Sequence, residues 1–484
     1  SAGVLQLYPR HRGIAETFMI HTDTDESRPD VDGGASPSSE KFGTFLGVYT
    51  PSVLTILGLI MYLRFGWVVG NVGLLLTLFI VLLATSITAI TALSASAVAT
   101  NMRVGVGGEY YMISRSLGLE LGGAIGIPLF LCRTLSITFY SFGLAESILE
   151  FWPASWGPIP AATTQLLTAG FIVAIVAISG KSAELALKLQ IPIMIAVGLS
   201  VVALGVGVAT GGMQTPELAP TYRTAPAGFW YVFAVFFPAT TGILAGANMS
   251  GELKDSRTSI ASGTLWAIGL SSIIYFAIAW WVSRAGTVDE LTSNYSLLID
   301  RSAWPFAVLL GLLGATASSA LAGLVGGPRI LMAMGQNRLL PYSDWLARTT
   351  SEGEPRNAAI ITGVLTFACL MVRDLNAIAP LVTMFFLITY CIINVVVLFE
   401  QGLGLVSFRP TLRVPLVVPL FGTVGSIFSM FVVNPTFGMI SVAMVVAIYF
   451  WIDRFVHIDA NSTEEARSSV FVALAEFAAH KAAE

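Results

Sequence analysis

Between Phe236 and Asn248 the chain reads FFPATTGILAGAN, where an uninterrupted membrane helix would carry on with leucine and valine. Pro238, Thr240, Thr241, Gly242 and Gly246 interrupt an apolar segment long enough to cross a bilayer. Hydrocarbon cannot satisfy the backbone groups that such a break frees, so it persists only when buried in protein or lining a polar cavity. A matching break is expected near the start of the chain, in PSVLTILGLIMYLR from Pro51 to Arg64. Two discontinuous helices in corresponding places mark a site for ions or small solutes at mid-membrane.

Composition supports the bilayer. The chain is 55% hydrophobic and 11% charged, with a mean hydropathy of +0.78, which is more apolar surface than one soluble core can bury. An all-α membrane protein is expected, and nucleic-acid binding has no support. Cys132, Cys369 and Cys391 lie inside apolar segments without metal-ligand spacing, so they read as small buried hydrophobes. No nucleotide-binding loop, histidine pair or nucleophile–base pair stands at a telling spacing. Neither an enzyme nor a cofactor is expected.

Apolar stretches of about 20 residues, enough to cross hydrocarbon, fall near 45–70, 73–99, 119–149, 161–180, 188–210, 227–250, 261–283, 304–333, 357–373, 376–399, 414–433 and 435–454. We number these spans 1 to 12. The transport domain is expected over 42–455. Residues 1–41 are polar and acidic, with Asp23, Asp25, Glu26, Asp30 and Asp32, and are expected to be a disordered cytoplasmic tail. Residues 456–484 read as a short cytoplasmic tail, within which SSVFVALAEFAAH has an amphipathic pattern. Arg103, Arg115, Lys181, Lys188, Lys254, Arg257, Arg329, Arg338, Arg348, Arg356, Arg409 and Arg413 fall in inner loops. Only Arg223, Arg284, Arg301 and Arg373 fall in outer ones, which places both termini in the cytoplasm. The cell membrane is the expected location. Spans 1 and 6 run in opposite senses, the parity of an inverted repeat of spans 1–5 and 6–10, with 11 and 12 appended.

Unusual polar residues share one depth: Thr55 to Gly58, Tyr140, Pro238 to Gly242, Ser318 with Ser319, and Tyr390. Singly, each has a structural reading, because hydroxyls in membrane helices bond back one turn and tyrosines pack. Convergence on five helices is what points to a site. No Asp or Glu joins them, which argues against a proton relay or a divalent-metal site. Ala315, Ser318 and Ser319 can present three neutral oxygens on one helical face, suited to a monovalent cation. Amides freed after Gly58 and Gly242 suit an anion.

The motifs LGLIMYLRFGWVVG, ITALSASAVATN with GGEYYMISRSLG and GGAIG, FYSFGLAES, FFPATTGILAGANMSGEL and ATASSALAGLVGGPRILMA resemble those of the cation-chloride cotransporters, within the amino acid-polyamine-organocation superfamily. The likeness covers roughly residues 43 to 433, without the large cytoplasmic C-terminal domain usual in animal members, so a compact form is expected. It implies electroneutral cotransport of sodium and potassium with chloride. Potassium would be held by the Thr55, Ile56 and Pro238 carbonyls and the Thr241 and Tyr140 hydroxyls. One chloride would sit on the amides of Gly58, Leu59 and Ile60, and a second on those of Gly242, Ile243 and Leu244 with the Tyr390 hydroxyl. Sodium would use the carbonyls of Leu54, Leu57 and Ala315 with the hydroxyls of Ser318 and Ser319. The serine pair resembles sodium-coupled members, and Tyr140 the potassium-transporting ones. Thr55 stands where the family usually has Asn, and Leu57 where sodium-potassium-chloride members have Trp. Potassium-chloride or sodium-chloride cotransport stays open, as does an amino-acid transporter of the same superfamily. Against the last, Gly58 is flanked by Leu57, Leu59 and Ile60 rather than by further glycines. Inorganic ions and lipid are the expected partners, and a homodimer is compatible with the class.

Arg64 lies six residues beyond Gly58 and Glu146 six beyond Tyr140, both on outward-running spans, so both stand about 9 Å outside the ion level. An Arg64–Glu146 pair, acting as an outer gate, is the simplest way to satisfy two charges at that depth. Arg133, seven residues before Tyr140, has no carboxylate near it in sequence and is expected to face a wet cavity or to snorkel inward. Asn294-Tyr295-Ser296 is a glycosylation sequon in the outer loop between spans 7 and 8.

Overall fold

The computed structural model describes residues 42–456, apart from 180–182, 225–227, 249, 251–252, 352, 373–374 and 404–407. Residues 1–41 and 457–484, which make up all but Val456 of the two expected tails, and Arg373 and Asp374 in the outer loop between spans 9 and 10 therefore lie outside the described residues. Among the described residues, nine helices are long and apolar enough to cross a membrane: Phe45–Leu63, Phe65–Asn101, Leu119–Leu149, Leu189–Thr210, Phe229–Asn248, Ser256–Val282, Pro305–Gln336, Leu375–Gly402 and Pro435–Phe455. Three shorter apolar helices, Ala162–Ala177, Arg356–Val372 and Val417–Val433, stand at spans 4, 9 and 11. Among the described residues there is no strand beyond the isolated bridges Phe42–Leu253 and Thr349–Pro355.

Span 1 breaks where its sequence does. The helix Thr50–Ile56 stops, Leu57 and Gly58 leave helical geometry, and the chain resumes at Leu59–Leu63. The following helix, Phe65–Asn101, is interrupted at Gly73 with φ of 69°, the outer turn between spans 1 and 2. The outer loop packs onto that turn: the Leu74 amide donates to the Glu217 carbonyl at 2.8 Å, and a Cβ at Gly73 would lie 2.5 Å from the Ala219 carbonyl oxygen.

Span 6 tightens instead of opening. It is α-helical over Phe229–Phe236, 3-10 over Phe237–Leu244 and α-helical again over Ala245–Asn248. Pro238 supplies no N–H to the ladder, and the Thr240 and Thr241 hydroxyls bond back to the Phe237 and Pro238 carbonyls at 2.9 and 2.8 Å. Gly242 then fits directly against span 1, since a Cβ there would stand 2.8 Å from the Ser52 carbonyl oxygen.

Packing follows the expected repeat. Span 1 packs on span 6, span 2 on span 7 and span 3 on span 8, while span 5 contacts span 8 as span 10 contacts span 3. Span 4 lies on span 3 as span 9 lies on span 8. Spans 1 and 6 form the centre, each 83% buried in its apolar window, whereas span 12 is 17% buried and presents Met439, Ile440 and Phe450 outward. That outer apolar face is what a helix against lipid requires.

Candidate functional site

The break in span 1 leaves backbone groups unspent on both sides. Among the described residues, the amides of Gly58, Leu59 and Ile60 donate to no carbonyl, and the carbonyls of Leu54, Thr55 and Leu57 accept from no donor. The Ile56 carbonyl is different, because the buried Tyr275 hydroxyl of span 7 donates to it at 2.7 Å. Ile56 lines a small pocket with Thr85, Thr88, Thr240, Ser271, Ser272 and Tyr275, apart from the cavity described next. The Ile56 carbonyl, expected among the potassium ligands, thus already accepts one hydrogen bond and keeps a second lone pair.

A small cavity of about 20 Å³ gathers Thr55 of span 1, Arg133, Ser136 and Tyr140 of span 3, Thr241, Gly242, Ala245 and Asn248 of span 6, and Ser319 of span 8. Phe386 of span 10 closes one side. Four of the five converging helices thus bring an expected site residue to one place. Among the described residues Tyr140 makes no hydrogen bond through its hydroxyl, while Thr241 donates to the Pro238 carbonyl and Thr55 to the Pro51 carbonyl at 2.8 Å each. Donating hydroxyls keep their lone pairs, so these oxygens remain acceptors for a cation.

Ser319 donates to the Ala315 carbonyl at 2.8 Å, and Ser318 makes no side-chain hydrogen bond. Span 8 packs against the helix Thr50–Ile56, which carries Leu54. For the second expected anion site the geometry departs from the sequence reading. Gly242, Ile243 and Leu244 sit inside the 3-10 run, where each amide is directed at the carbonyl three residues back, so no break sets them free. Tyr390 is fully buried and its hydroxyl has no partner.

Arg64 and Glu146 meet. Arg64 Nη2 stands 2.7 and 3.0 Å from the two Glu146 carboxylate oxygens, and Arg64 itself is 1% exposed. Two partners were not foreseen. Asn376, at the outer end of span 10, accepts from Arg64 Nε at 2.7 Å, and the Tyr295 ring lies 3.9 Å from the guanidinium carbon. Tyr295 was visible only as the middle of a sequon, and its loop is held by Glu290, whose carboxyl is lowered below its usual range by bonds from Thr287.

Arg133 is not unpaired. Its Nη2 bonds the Glu109 carboxylate, which belongs to the short helix Glu109–Leu117 between spans 2 and 3 and is 1% exposed. Their separation of 24 positions hid the pairing from a local reading, although Glu109 lies within the GGEYY motif.

A family model of amino acid permeases matches residues 47–483. The chain belongs to the amino acid permease family. This permease-family chain is 29% identical to human solute carrier family 12 member 2 over 488 aligned positions, 88% of the chain and 40% of the relative. It is 30% identical to human member 1, over 81% of the chain and 41% of the relative, and 28% identical to human member 3, over 90% and 49%. These relatives are members of one solute carrier family. The chain spans two-fifths to one half of their length. It shares its fold with the crystal structure of MhsT in complex with L-phenylalanine at a TM-score of 0.52, 16% identity, 85% of this chain and 99% of that one. The fold is that of an all-α membrane transporter, and its relatives are transporters and not enzymes.

Proposed function

We propose that this permease-family protein carries sodium and potassium together with chloride across the cell membrane by alternating access. The observation that carries the reading is the cavity where Thr55, Tyr140, Thr241 and Ser319 present neutral oxygens beside the unspent carbonyls and amides of the span 1 break. Neutral oxygens suit alkali cations, which shed water onto carbonyls and hydroxyls, and helix-start amides suit a halide. Potassium takes the Thr55, Ile56 and Pro238 carbonyls with the Tyr140 and Thr241 hydroxyls. Sodium takes Leu54, Leu57, Ala315, Ser318 and Ser319. One chloride takes Gly58, Leu59 and Ile60, and the second takes Tyr390, with Gly242, Ile243 and Leu244 once span 6 relaxes from its 3-10 turns. One of each cation with two chlorides is electroneutral. Residues 42–455 form the transport domain, and both termini are cytoplasmic.

Rubidium-86 uptake into proteoliposomes tests this, with external sodium and chloride omitted in turn. Each omission is expected to abolish uptake, and Ser318→Ala with Ser319→Ala to remove the sodium stimulation. Chloride-dependent uptake indifferent to sodium would replace this reading with potassium-chloride cotransport.

A further inference from the structure

Arg133 stands about 10 Å to the cytoplasmic side of Tyr140 along span 3, seven residues at the helical rise. Its side chain forms part of the cavity wall, while that of Glu109 does not. Only Nη2 is engaged, by Glu109; Nε and Nη1 make no hydrogen bond to any described residue. A guanidinium has five N–H donors, so most of its donor capacity is unspent at a polar cavity. The surrounding groups are unusual as well. The guanidinium carbon lies 5.8 Å from the Phe386 ring, which is 6.1 Å from the ring of Tyr390, whose buried hydroxyl has no partner. Asn248, on the same wall, has a buried Oδ1 without a partner, and an amide of that kind can present its N–H₂ after a flip.

The cation-ready oxygens lie outward of this group. A halide requires donors, and Arg133 supplies the concentrated ones at the inner end. We propose that Arg133 is a chloride ligand at the cytoplasmic end of the ion cavity, with Glu109 as the counterion that fixes the guanidinium and offsets its charge. Without Glu109, a bare guanidinium would repel a cation in the same cavity. With it, anion and cation can occupy the cavity together. This assignment rests on the cotransport reading and adds a residue to it.

The experiment is a chloride titration of rubidium-86 uptake by the full chain in proteoliposomes, paired with melting of the detergent-purified protein in chloride against gluconate. Arg133→Gln is expected to raise the half-saturating chloride concentration roughly tenfold, to leave that for rubidium within about twofold, and to lose stabilisation by chloride. Arg133→Lys keeps a point charge and should fall between. Glu109→Gln is expected to move the constants the other way, lowering half-saturating chloride and raising half-saturating rubidium. A purely structural ion pair predicts something else: both single variants lose stability alike with unchanged half-saturation, and Arg133→Gln combined with Glu109→Gln restores them. That result overturns the proposal, as does a half-saturating chloride in Arg133→Lys and Arg133→Gln that matches the unmodified protein. Should Arg133→Gln fail to fold, Arg133→Lys and Glu109→Gln still decide by their opposite shifts. Uptake indifferent to chloride in the unmodified protein would sink the cotransport reading instead, and chloride stabilisation lost on changing Arg133 would still support the site.

Discussion

Tyr140 and Tyr390 are both buried tyrosines at mid-depth, yet their hydroxyls meet different surroundings. Tyr140 opens into the cavity beside Thr55 and Thr241, among acceptors, whereas the Tyr390 hydroxyl is sealed and unpartnered close to the Phe386 ring and Arg133. Acceptors gather around cations and donors around anions, so the two rings should serve different ions. Tyr140→Phe is expected to raise half-saturating rubidium roughly tenfold, the loss of one charge-assisted contact of about 1.5 kcal/mol, with a smaller change for chloride. Tyr390→Phe should do the reverse. Uptake titrations of both ions check this, and equal effects on the two would leave the rings only a packing role. Hydroxyl positions such as these were legible in the sequence because Ser, Thr and Tyr stand out in an apolar span. The state of each carbonyl was not legible. The Ile56 carbonyl accepts from Tyr275, more than two hundred residues away, and Arg133 gains Glu109 across a turn; neither pairing follows from any local pattern.

Span 6 shows where reading an element from sequence stops. Hydropathy located the twelve spans, and the Asn434-Pro435 pair marked the turn before span 12, where the Asn434 side chain accepts from the Phe437 amide at 3.0 Å. Pro238 and Gly242 likewise announced an interruption. An opened strand and a 3-10 stretch nonetheless use the same residues, and tertiary contact chooses between them. Here Gly242 lies against Ser52 and Thr55, and Thr240 accepts from the Thr88 hydroxyl at 3.0 Å, so span 6 is held tight by its neighbours. Gly242→Ala inserts a methyl at 2.8 Å from the Ser52 carbonyl oxygen and 2.9 Å from the Thr55 Cβ. Backbone is the obstacle, so relief requires spans 1 and 6 to part. Overpacking of this kind costs about 1–3 kcal/mol. The expected outcome is a lower melting temperature in detergent together with weaker rubidium and chloride binding, since both sites share that seam. A variant with unchanged melting and unchanged uptake would show that the seam is loose enough to absorb a methyl group.

On the scale of the whole molecule, the outer ends of spans 1, 3, 6 and 10 are tied at Arg64. Glu146 brings span 3, Asn376 brings span 10, Tyr231 of span 6 donates to the Asn376 carbonyl at 3.2 Å, and Tyr295 covers the guanidinium from the outer loop. A charge 1% exposed needs this many partners. As the outer gate that we propose for alternating access, the cluster would have to part or hydrate when the site opens outward. Arg64→Glu and Glu146→Arg each leave like charges facing one another, and each should cut uptake by roughly tenfold or more. The exchange of both restores opposite charges across the gap. Recovery should be partial, because glutamate at 64 would face the Asn376 carbonyl oxygen and the negative face of the Tyr295 ring unless the amide of Asn376 turns. Tyr295→Leu in the exchanged background removes the ring and should improve it further. Initial uptake rates at matched expression decide the matter by the double-mutant comparison. If the exchanged protein transports no better than the product of the two single effects, the Arg64–Glu146 contact closes nothing, and the outer cluster is only a means of satisfying a buried arginine.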